Sequence, residues 1–368
     1  KLFVIGGESI YRQFLEHNLI GDLHITLISG DYECDQFLKL PENSNESELL
    51  ICDGVCVNSW INLCCDSQKN HTSLYKISHV TNHEEKNFMD VIHDVLYHGN
   101  KRGDRTGVGN LSIFGRELRF DLSRGNIPMS TTRPVSLRIV FEELMWILRG
   151  ETNNKILNDK KINIWNPNTS RRFLDIRGLS HLPEGDIGAS YGFQMRHFGE
   201  TYDNCESEYK GGFDQLSYVI DLLKKNPDSR RIMMNLWNPA DLDKMSLPPC
   251  VYSYQFYVAD GVLSLKLVQR SSDIVLAGSH NCTAGALLVR MLCKITGLKP
   301  GELIWSPADI HIYENQIKDA EQQLLRTTKP YPILKIENDI KDILDFKYQD
   351  LMLLNYSPCK RIRFAMNA

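Results

Sequence analysis

Two β-prone segments joined by a two-residue turn constrain the fold of this chain more than any other feature of its sequence. Leucines alternate with polar residues over residues 262–268, and residues 251–258 form a second β-prone run. The dipeptide Asp260-Gly261 between them is typical of a tight hairpin turn. The sequence therefore predicts an antiparallel hairpin that is buried on one face.

Helical periodicity surrounds this hairpin. Apolar residues recur at helical spacing after Glu84: Phe88, Val91, Ile92 and Val95. This helix is expected to end near Gly99, and residues 139–148, 216–223 and 284–295 carry similar apolar faces. Long helices mixed with alternating strands favour the α+β class.

The first part of the chain carries fewer predicted elements than a complete domain. Three strands and one helix are predicted there, at residues 2–5, 23–29, 74–80 and 8–15. The length of 368 residues suits two domains of roughly 150 residues each. Lys1 leads directly into an apolar run, which is typical of the middle of a domain. We therefore expect an incomplete domain over residues 1–81 and a complete one over residues 84–368.

Composition excludes several classes of protein. Lys and Arg total 42 against 46 Asp and Glu, a formal charge of −4, so no specific nucleic-acid or membrane-surface binding is expected. No apolar run reaches the roughly 18 residues of a membrane span. The ten cysteines are irregularly spaced and form no Cys-x-x-Cys pair. We therefore expect reduced thiols, no metal site and a cytoplasmic or otherwise reducing compartment.

Cys250 is the cysteine whose setting best suits catalysis. It follows two prolines and directly precedes the first strand of the hairpin, so a rigid turn presents its thiol. A nearby guanidinium would favour the thiolate, and Arg270 at the end of the second strand can supply one. The alternative is a small buried residue without a chemical role.

Four arginines lie in turn-like settings flanked by Gly or Ser: Arg105, Arg230, Arg231 and Arg270. A guanidinium matches phosphate oxygens, so together these side chains are candidates for a phosphate clamp. The alternative is that each is a solvated surface arginine. Because the net charge is slightly negative, any anion site has to be built locally by such a cluster.

Two further patterns place polar groups on apolar elements. Glu142 and Glu143 lie within an apolar helix, where a carboxylate is costly unless it is paired. One of them is expected either to form an ion pair or to have a raised pKa suited to proton transfer, and the neighbouring glutamate can be solvated. His311 and Tyr313 alternate on an extended segment, which puts both side chains on one face. A satisfied core histidine is the alternative for His311.

Several motifs, in order along the chain, make residues 84–368 similar to thymidylate synthase. They are residues 104–107, 131–133, 142–146, 188–192, 230–231, 247–250, 269–271, 273, 281 and 309–313. The resemblance implies a large mixed β-sheet with helices packed on one face and the other face used for dimerisation. Residues 1–81 resemble the C-terminal portion of the dihydrofolate reductase α/β domain, with Gly6 and Gly7 at its NADPH-contacting glycine pair. Together the two parts resemble a bifunctional reductase-synthase without the N-terminal portion of the reductase.

The resemblance also implies a reaction, the reductive methylation of dUMP to dTMP. The co-substrate 5,10-methylenetetrahydrofolate would give a one-carbon unit and a hydride, and would leave as dihydrofolate. Cys250 would add to carbon 6 of the pyrimidine, with Arg270 favouring its thiolate. Glu143 would transfer protons through ordered water, and Tyr191 would help remove the carbon 5 proton. Asp273 completes the implied catalytic set.

Substrate contacts are implied by the same motifs. The nucleotide would contact Arg105, Arg230, Arg231, Gln269, Arg270, Ser271, Asp273, Asn281, His311 and Tyr313. Arg230 and Arg231 would reach in from the partner subunit, which requires a homodimer. Folate would contact Trp165, Asp273, Ala277 and His280. NADPH would serve only a complete reductase domain, so no reductase activity is expected from residues 1–81.

Two departures from the family pattern stand beside the nucleophile and the proposed folate site. Val251 follows Cys250 where the family usually has His, and the usual Leu-Gly-x-Pro-Phe-Asn reads Leu-Ala-Gly-Ser-His-Asn at residues 276–281. They leave open a non-catalytic homologue that binds nucleotide or RNA. A dCMP hydroxymethylase is the other alternative, but such enzymes carry Asp where Asn281 stands, and an amide suits uracil.

Overall fold

The computed structural model describes the backbone of residues 57–61 and 75–79 and all of residues 82–367. The chain divides into two units, Lys1–His83 and Glu84–Ala368.

The first unit contains a two-stranded antiparallel sheet. Its strands are β1 (Val57–Ile61) and β2 (Tyr75–His79), and β2 occupies the strand predicted at residues 74–80. The elements predicted before residue 57 lie outside the described residues, as do Gly6 and Gly7.

Helices of the second unit include the four that periodicity predicts. They are α1 (His83–His98), α2 (Leu137–Leu148), α3 (Lys155–Asp159), α4 (Asn166–Thr169), α5 (Arg171–Ile176), α6 (Tyr191–Arg196), α7 (Gln215–Lys225), α8 (Ser279–Thr296) and α9 (Ile317–Leu324). The predicted helices correspond to α1, α2, α7 and α8, whose apolar faces enter one continuous core.

The second unit is built on one mixed sheet. Its strands are β3 (Asn100–Arg102), β4 (Asn110–Phe114), β5 (Leu118–Asp121), β6 (Met233–Asn235), β7 (Val251–Ala259), β8 (Val262–Asp273) and β9 (Lys299–Tyr313). The order is β3-β4-β9-β8-β7-β6, and β5 also pairs with β9. Only β8 and β9 run parallel among these pairs, and α8 is the crossover that a parallel pair requires. A separate two-stranded sheet joins β10 (Ile333–Ile336) to β11 (Leu351–Leu354).

The predicted hairpin is present as β7 and β8. Asp260 and Gly261 have φ of 50° and 73°, the positive values that a tight two-residue turn requires. Leu263 and Leu267 are buried, whereas Lys266 is exposed, as the alternation predicts. The α+β class is therefore confirmed.

A β-bulge interrupts β7 at Tyr252. Val251 pairs with Gln269, whereas Ser253 pairs with Val268, so Tyr252 is an extra residue in β7. Because side chains alternate along a regular strand, this extra residue lets Val251 and a side chain three positions later face the same side of the sheet.

Helix α8 packs closely on the same face of the sheet. A Cβ atom at Gly285 would lie 3.0 Å from Leu303 Cδ1 and 3.1 Å from Leu267 Cδ2. These distances are tighter than ordinary van der Waals contact, so glycine allows this helix-to-sheet approach without the shift of Leu267 and Leu303 that a larger residue would require. The helix ends at Gly297, which has a left-handed φ of 76°.

The opposite face of the sheet carries side chains that no helix of the second unit covers. Met233, Gln255, Lys266 and Ile304 form one row across β6 to β9. Tyr257, on the same face of β7, is 68% exposed. This face is therefore available for contact with another molecule.

Glu84 connects the first turn of α1 to β5, and its carboxylate accepts the Asp121 N–H at 2.7 Å. Burial raises the pKa of Glu84 from 4.5 to about 7. At pH values between 4.5 and about 7, Glu84 keeps its proton in the folded protein but has released it in the unfolded chain. The free energy of unfolding therefore falls as the pH rises through this range. The variant Glu84→Gln should therefore be more stable than the wild type at pH 8, by about 1 kcal/mol after allowance for partial exposure. At pH 4 the two should be equal, and thermal unfolding at both pH values measures the difference; an advantage independent of pH would contradict this account.

Candidate active site

A pocket of about 530 Å³, counting space open to solvent, lies between the sheet and helices α2 and α8. Its lining is mainly apolar with a few polar groups: Glu143, Leu144, Ile147, Trp165, Tyr191, Val251, Tyr254, Leu267, His280, Asn281, Ala284 and Gly285. Such a combination is typical of sites for small molecules. Five predicted site residues meet here: Glu143, Trp165, Tyr191, His280 and Asn281.

Cys250 stands immediately before β7, next to this pocket. Its backbone N–H donates to the Tyr191 hydroxyl at 2.8 Å. Arg270 Nη2 lies 3.8 Å from the Cys250 sulfur, and the carbonyl oxygens of Pro248 and Pro249 hold the guanidinium at 2.8 and 2.9 Å. The two prolines thus fix the guanidinium beside the thiol.

Glu143 is the acidic group of the pocket. Its Oε1 accepts the indole N–H of Trp165 at 2.8 Å, and its Oε2 lies 2.6 Å from His280 Nε2. Glu142 points elsewhere and forms an ion pair with Lys160 at 2.5 Å. Neither glutamate is solvated as the sequence allowed, because both are mostly buried and paired.

Two tyrosines face the same pocket. Burial raises the pKa of Tyr191 well above its ordinary value of 10, and the negative charges of Cys250 and Glu143 add to the rise. Burial also raises the pKa of Tyr254, with a further contribution from Glu143. Both phenols are therefore neutral around pH 7 and offer O–H groups to a ligand.

Gln269 orients Asn281 through a chain of hydrogen bonds. Its Oε1 accepts from Trp305 Nε1 at 2.9 Å and from Asn281 Nδ2 at 3.2 Å, while its Nε2 donates to the Ser271 carbonyl at 2.8 Å. An indole nitrogen only donates, so it fixes which end of the Gln269 amide is oxygen. Asn281 consequently keeps its Oδ1 and one N–H free toward the pocket.

Asp273 is engaged within the protein rather than in the pocket lining. Its carboxylate accepts the Leu276 N–H at 3.0 Å and the Gln316 side-chain amide at 2.7 Å. Burial raises the pKa of Asp273 despite these bonds. Ala277 lies in the following helical turn, Ile274–Gly278, and is half-buried outside the lining of the pocket.

His311 and Tyr313 share one face of β9, as their alternation predicts. Their rings meet edge to face with centroids 5.2 Å apart, and His311 Nδ1 lies 3.1 Å from Asp309 Oδ1. Burial raises the pKa of Tyr313, and the guanidinium of Arg105 opposes that rise. Arg105 itself is exposed, with its guanidinium 5.8 Å from the ring of Phe173.

Arg230 and Arg231 are exposed in the loop that precedes β6. Among residues 82–367, neither guanidinium forms an ion pair or hydrogen bond. Ser271 is half-buried on β8, next to Arg270. The phosphate-clamp residues are therefore not assembled within one copy of the described chain.

Three residues outside the sequence predictions help to build the site. Trp305 and Gln316 are fully buried hydrogen-bond donors behind Gln269 and Asp273, and Tyr254 places its ring in the pocket. Strand alternation indicates burial at Trp305 and Tyr254, but it does not identify their partners.

Other candidate features lie away from this pocket. In the part of the chain that the structure describes, only His93, Asp94 and His98 bring possible metal ligands within 4.8 Å of one another, on α1. Five cysteines of this part are free thiols: Cys205, Cys250, Cys282, Cys293 and Cys359. None of its helices has the length and apolar character needed to cross a membrane.

Comparisons with known proteins agree on one family. The family model for thymidylate synthase matches residues 86–368. A bifunctional dihydrofolate reductase-thymidylate synthase of Paramecium tetraurelia is 38% identical over 379 residues, which cover 100% of this chain and 79% of that protein. Bifunctional dihydrofolate reductase-thymidylate synthase 1 of Arabidopsis thaliana is 39% identical over 389 residues, which cover 100% of this chain and 75% of that protein. A thymidylate synthase of human herpesvirus 8 is 46% identical over 287 residues, which cover 78% of this chain and 85% of that protein.

Proposed function

The chain belongs to the thymidylate synthase family, and we propose that the pocket beside Cys250 performs the family's reaction. The activity is that of a thymidylate synthase, a methyltransferase that converts dUMP to dTMP with methylenetetrahydrofolate as co-substrate. One observation carries the assignment to this pocket. The Cys250 thiol lies 3.8 Å from a guanidinium, beside a pocket that presents a carboxylate and an amide.

Covalent catalysis begins at Cys250. Its sulfur adds to carbon 6 of dUMP, so that carbon 5 becomes nucleophilic and would attack the methylene carbon of the folate as one carbon–nitrogen bond of that methylene breaks. Loss of the carbon 5 proton, separation of the folate, hydride transfer from the folate to the methylene carbon and release of the Cys250 sulfur would then give dTMP and dihydrofolate. Arg270 stabilises the attacking sulfur and reaches the phosphate with Ser271 and Arg105. The carbonyl oxygens of Pro248 and Pro249 hold the guanidinium for both tasks.

Proton transfers use the polar side chains of the pocket. Glu143 exchanges protons with the pyrimidine oxygen and the folate through ordered water. Tyr191 is a neutral phenol bonded to the nucleophile's backbone, which suits a role in removing the carbon 5 proton. Asn281 and Gln269 recognise the uracil edge, and His311 with Tyr313 binds the ribose hydroxyl.

Folate contacts form a second group. Trp165 and His280 line the pocket beside Glu143 and offer ring surfaces to the pterin and its neighbouring groups. Asp273 and Ala277 approach the pterin from the turn before α8. NADPH would be required only by a complete reductase domain.

The homodimer typical of thymidylate synthases supplies the remaining phosphate contacts. The uncovered sheet face, with Tyr257 and the row from Met233 to Ile304, suits back-to-back packing of two subunits. In that arrangement Arg230 and Arg231 of one subunit bind the phosphate held by the other. Their exposure and their lack of ion pairs within residues 82–367 support this role.

Mixing an inactive variant with one that binds dUMP weakly tests whether Arg230 acts across the dimer interface. Arg230→Ala should raise the KM for dUMP by about 10- to 100-fold, because a charge-assisted phosphate contact is lost. When this variant is mixed with Cys250→Ala under conditions that exchange subunits, about a quarter of the wild-type activity should return, because one site in each mixed dimer is intact. Activity at low dUMP concentration is the measurement.

A matched mixture provides the control for this experiment. Arg230→Ala combined with Arg231→Ala should recover nothing, because every site then receives a damaged arginine pair. Failure of the cysteine and arginine mixture to recover activity would show that Arg230 acts within its own subunit.

Residues 1–81 are proposed to be a partial dihydrofolate reductase domain. The whole-chain alignments with bifunctional relatives, together with Gly6 and Gly7, support this assignment. The five free thiols of the described residues suit a reducing compartment, and we place the protein in the cytoplasm.

The function is tested with purified protein, dUMP and methylenetetrahydrofolate. Dihydrofolate should form, and a fluorinated dUMP analogue should leave a covalent adduct on the Cys250 peptide in mass spectrometry. Absence of both products would contradict the assignment and favour a non-catalytic nucleotide-binding homologue. Preferential turnover of dCMP would instead indicate a hydroxymethylase, which Asn281 argues against.

A further inference from the structure

Glu143 and His280 form a hydrogen-bonded pair whose histidine has no catalytic role in the mechanism above. His280 Nε2 lies 2.6 Å from Glu143 Oε2, and both residues line the pocket. The two side chains are only 21% and 16% exposed. The pair is therefore fixed inside the site where the nucleotide reacts.

The direction of this hydrogen bond leaves one imidazole nitrogen free. An ionised carboxylate only accepts, so Nε2 of His280 is the donor. Within residues 82–367, the other nitrogen, Nδ1, forms no hydrogen bond. An imidazole in this position can take up a proton at Nδ1 while it releases one from Nε2.

Other groups facing the pair do not compete for this role. Tyr191 and Tyr254 approach from α6 and β7, and burial keeps both phenols neutral. Trp165 donates only its indole N–H to Glu143. Cys250, next to the pocket, lies against Arg270 and is used for covalent attack.

We propose that His280 is a proton-relay residue that restores the proton of Glu143 during turnover. The inference rests on the proposed function, because it assigns the source of the protons that Glu143 delivers. Relay through a second group is useful where the acid is held on both oxygens and mostly shielded from water, as Glu143 is.

The proton balance of the relay is complete. After Glu143 has given a proton toward the nucleotide, its ionised Oε2 takes the proton from His280 Nε2. The N–H bond at Nε2 breaks, an O–H bond forms at Oε2, and Nδ1 takes up a proton from water that exchanges with bulk solvent. The imidazole ends as its other neutral tautomer and returns by exchange with solvent.

Two variants separate a relay from a structural contact. His280→Gln keeps an amide N–H that can donate to Glu143, but a neutral amide does not act as an acid or a base near neutral pH. Its kcat should fall by about 10- to 100-fold with a changed pH profile, while dUMP affinity and adduct formation on Cys250 persist. The kcat of His280→Ala should fall by a similar factor, and activity should return when free imidazole is added. His181→Gln, at an exposed histidine, is the control and should match the wild type.

The possible results distinguish failure of the His280 relay from failure of the proposed synthase function. Wild-type kcat and an unchanged pH profile in His280→Gln would overturn the relay and leave the synthase assignment intact. Loss of activity in His280→Ala without rescue by imidazole, in a variant that still unfolds cooperatively and forms the adduct, would reduce His280 to a structural contact. A wild-type protein that turns over no dUMP would overturn the proposed function, and the relay with it.

Discussion

Replacement of Cys250 by Ser is expected to lower kcat for dTMP formation by at least about 1000-fold, because the covalent step is lost. A serine hydroxyl at this turn is nearly isosteric, but it is far less acidic and far less nucleophilic than a thiol. The guanidinium of Arg270 would remain, since the carbonyl oxygens of Pro248 and Pro249 hold it independently of the sulfur. Nucleotide affinity should therefore change little.

Dihydrofolate formation and calorimetric binding of dUMP measure these two quantities separately. Cys359→Ser is the matched control, because Cys359 is a half-buried free thiol outside the pocket lining, and its variant should retain wild-type kcat. Substantial turnover by the Cys250→Ser variant would show that another group performs the addition.

Asn281→Asp is expected to reverse the pyrimidine preference of the enzyme. Gln269 Oε1 accepts a hydrogen bond from the Asn281 side chain. An aspartate at position 281 has no N–H to donate, so its carboxylate would be repelled both by Gln269 Oε1 and by an oxygen of uracil. The value of kcat/KM for dUMP should fall by about 100-fold or more, because a site built for one hydrogen-bond pattern rejects the opposite pattern strongly. The amino group of dCMP would instead find an acceptor, and its relative kcat/KM should rise.

The ratio of kcat/KM for dUMP to that for dCMP is the decisive measurement. Asn226→Asp, at an exposed position beyond α7, is the control and should leave the ratio unchanged. An unaltered ratio in the Asn281 variant would mean that the base is recognised elsewhere in the pocket.

Periodicity predicts much of this fold correctly, because the hairpin and the long helices are set by local patterns. Alternation over residues 262–268 specifies β8, and helical spacing after Glu84 specifies α1. The bulge at Tyr252 was not predicted, since it depends on the partner strand and leaves no mark in the local pattern. The same limit applies to the parallel pairing of β8 with β9.

Among the site residues, contacts at the ends of the hairpin can be predicted from the sequence, whereas contacts between distant segments cannot. The setting of Cys250 and the spacing of Arg270 anticipate their proximity, because both positions border one hairpin. The pairing of Glu143 with His280 joins residues 137 positions apart and requires two helices to converge, which no local pattern specifies. The hydrogen bonds of Trp305 and Gln316 cannot be predicted from local patterns for the same reason. Within residues 82–367 the Arg230 guanidinium has no hydrogen-bond or ion-pair partner, so its proposed role is not visible in a single chain.

The close contact at Gly285 has a consequence for how this enzyme can vary. Gly285 lies one helical turn after Asn281, so the distance from α8 to the sheet also sets the width of the pocket beside Asn281. A methyl group at this position would meet the side chains of Leu267 and Leu303. Enlargement of residue 285 therefore requires the leucines at positions 267 and 303 to shift or to be replaced by smaller residues, and we expect these three positions to change together among relatives.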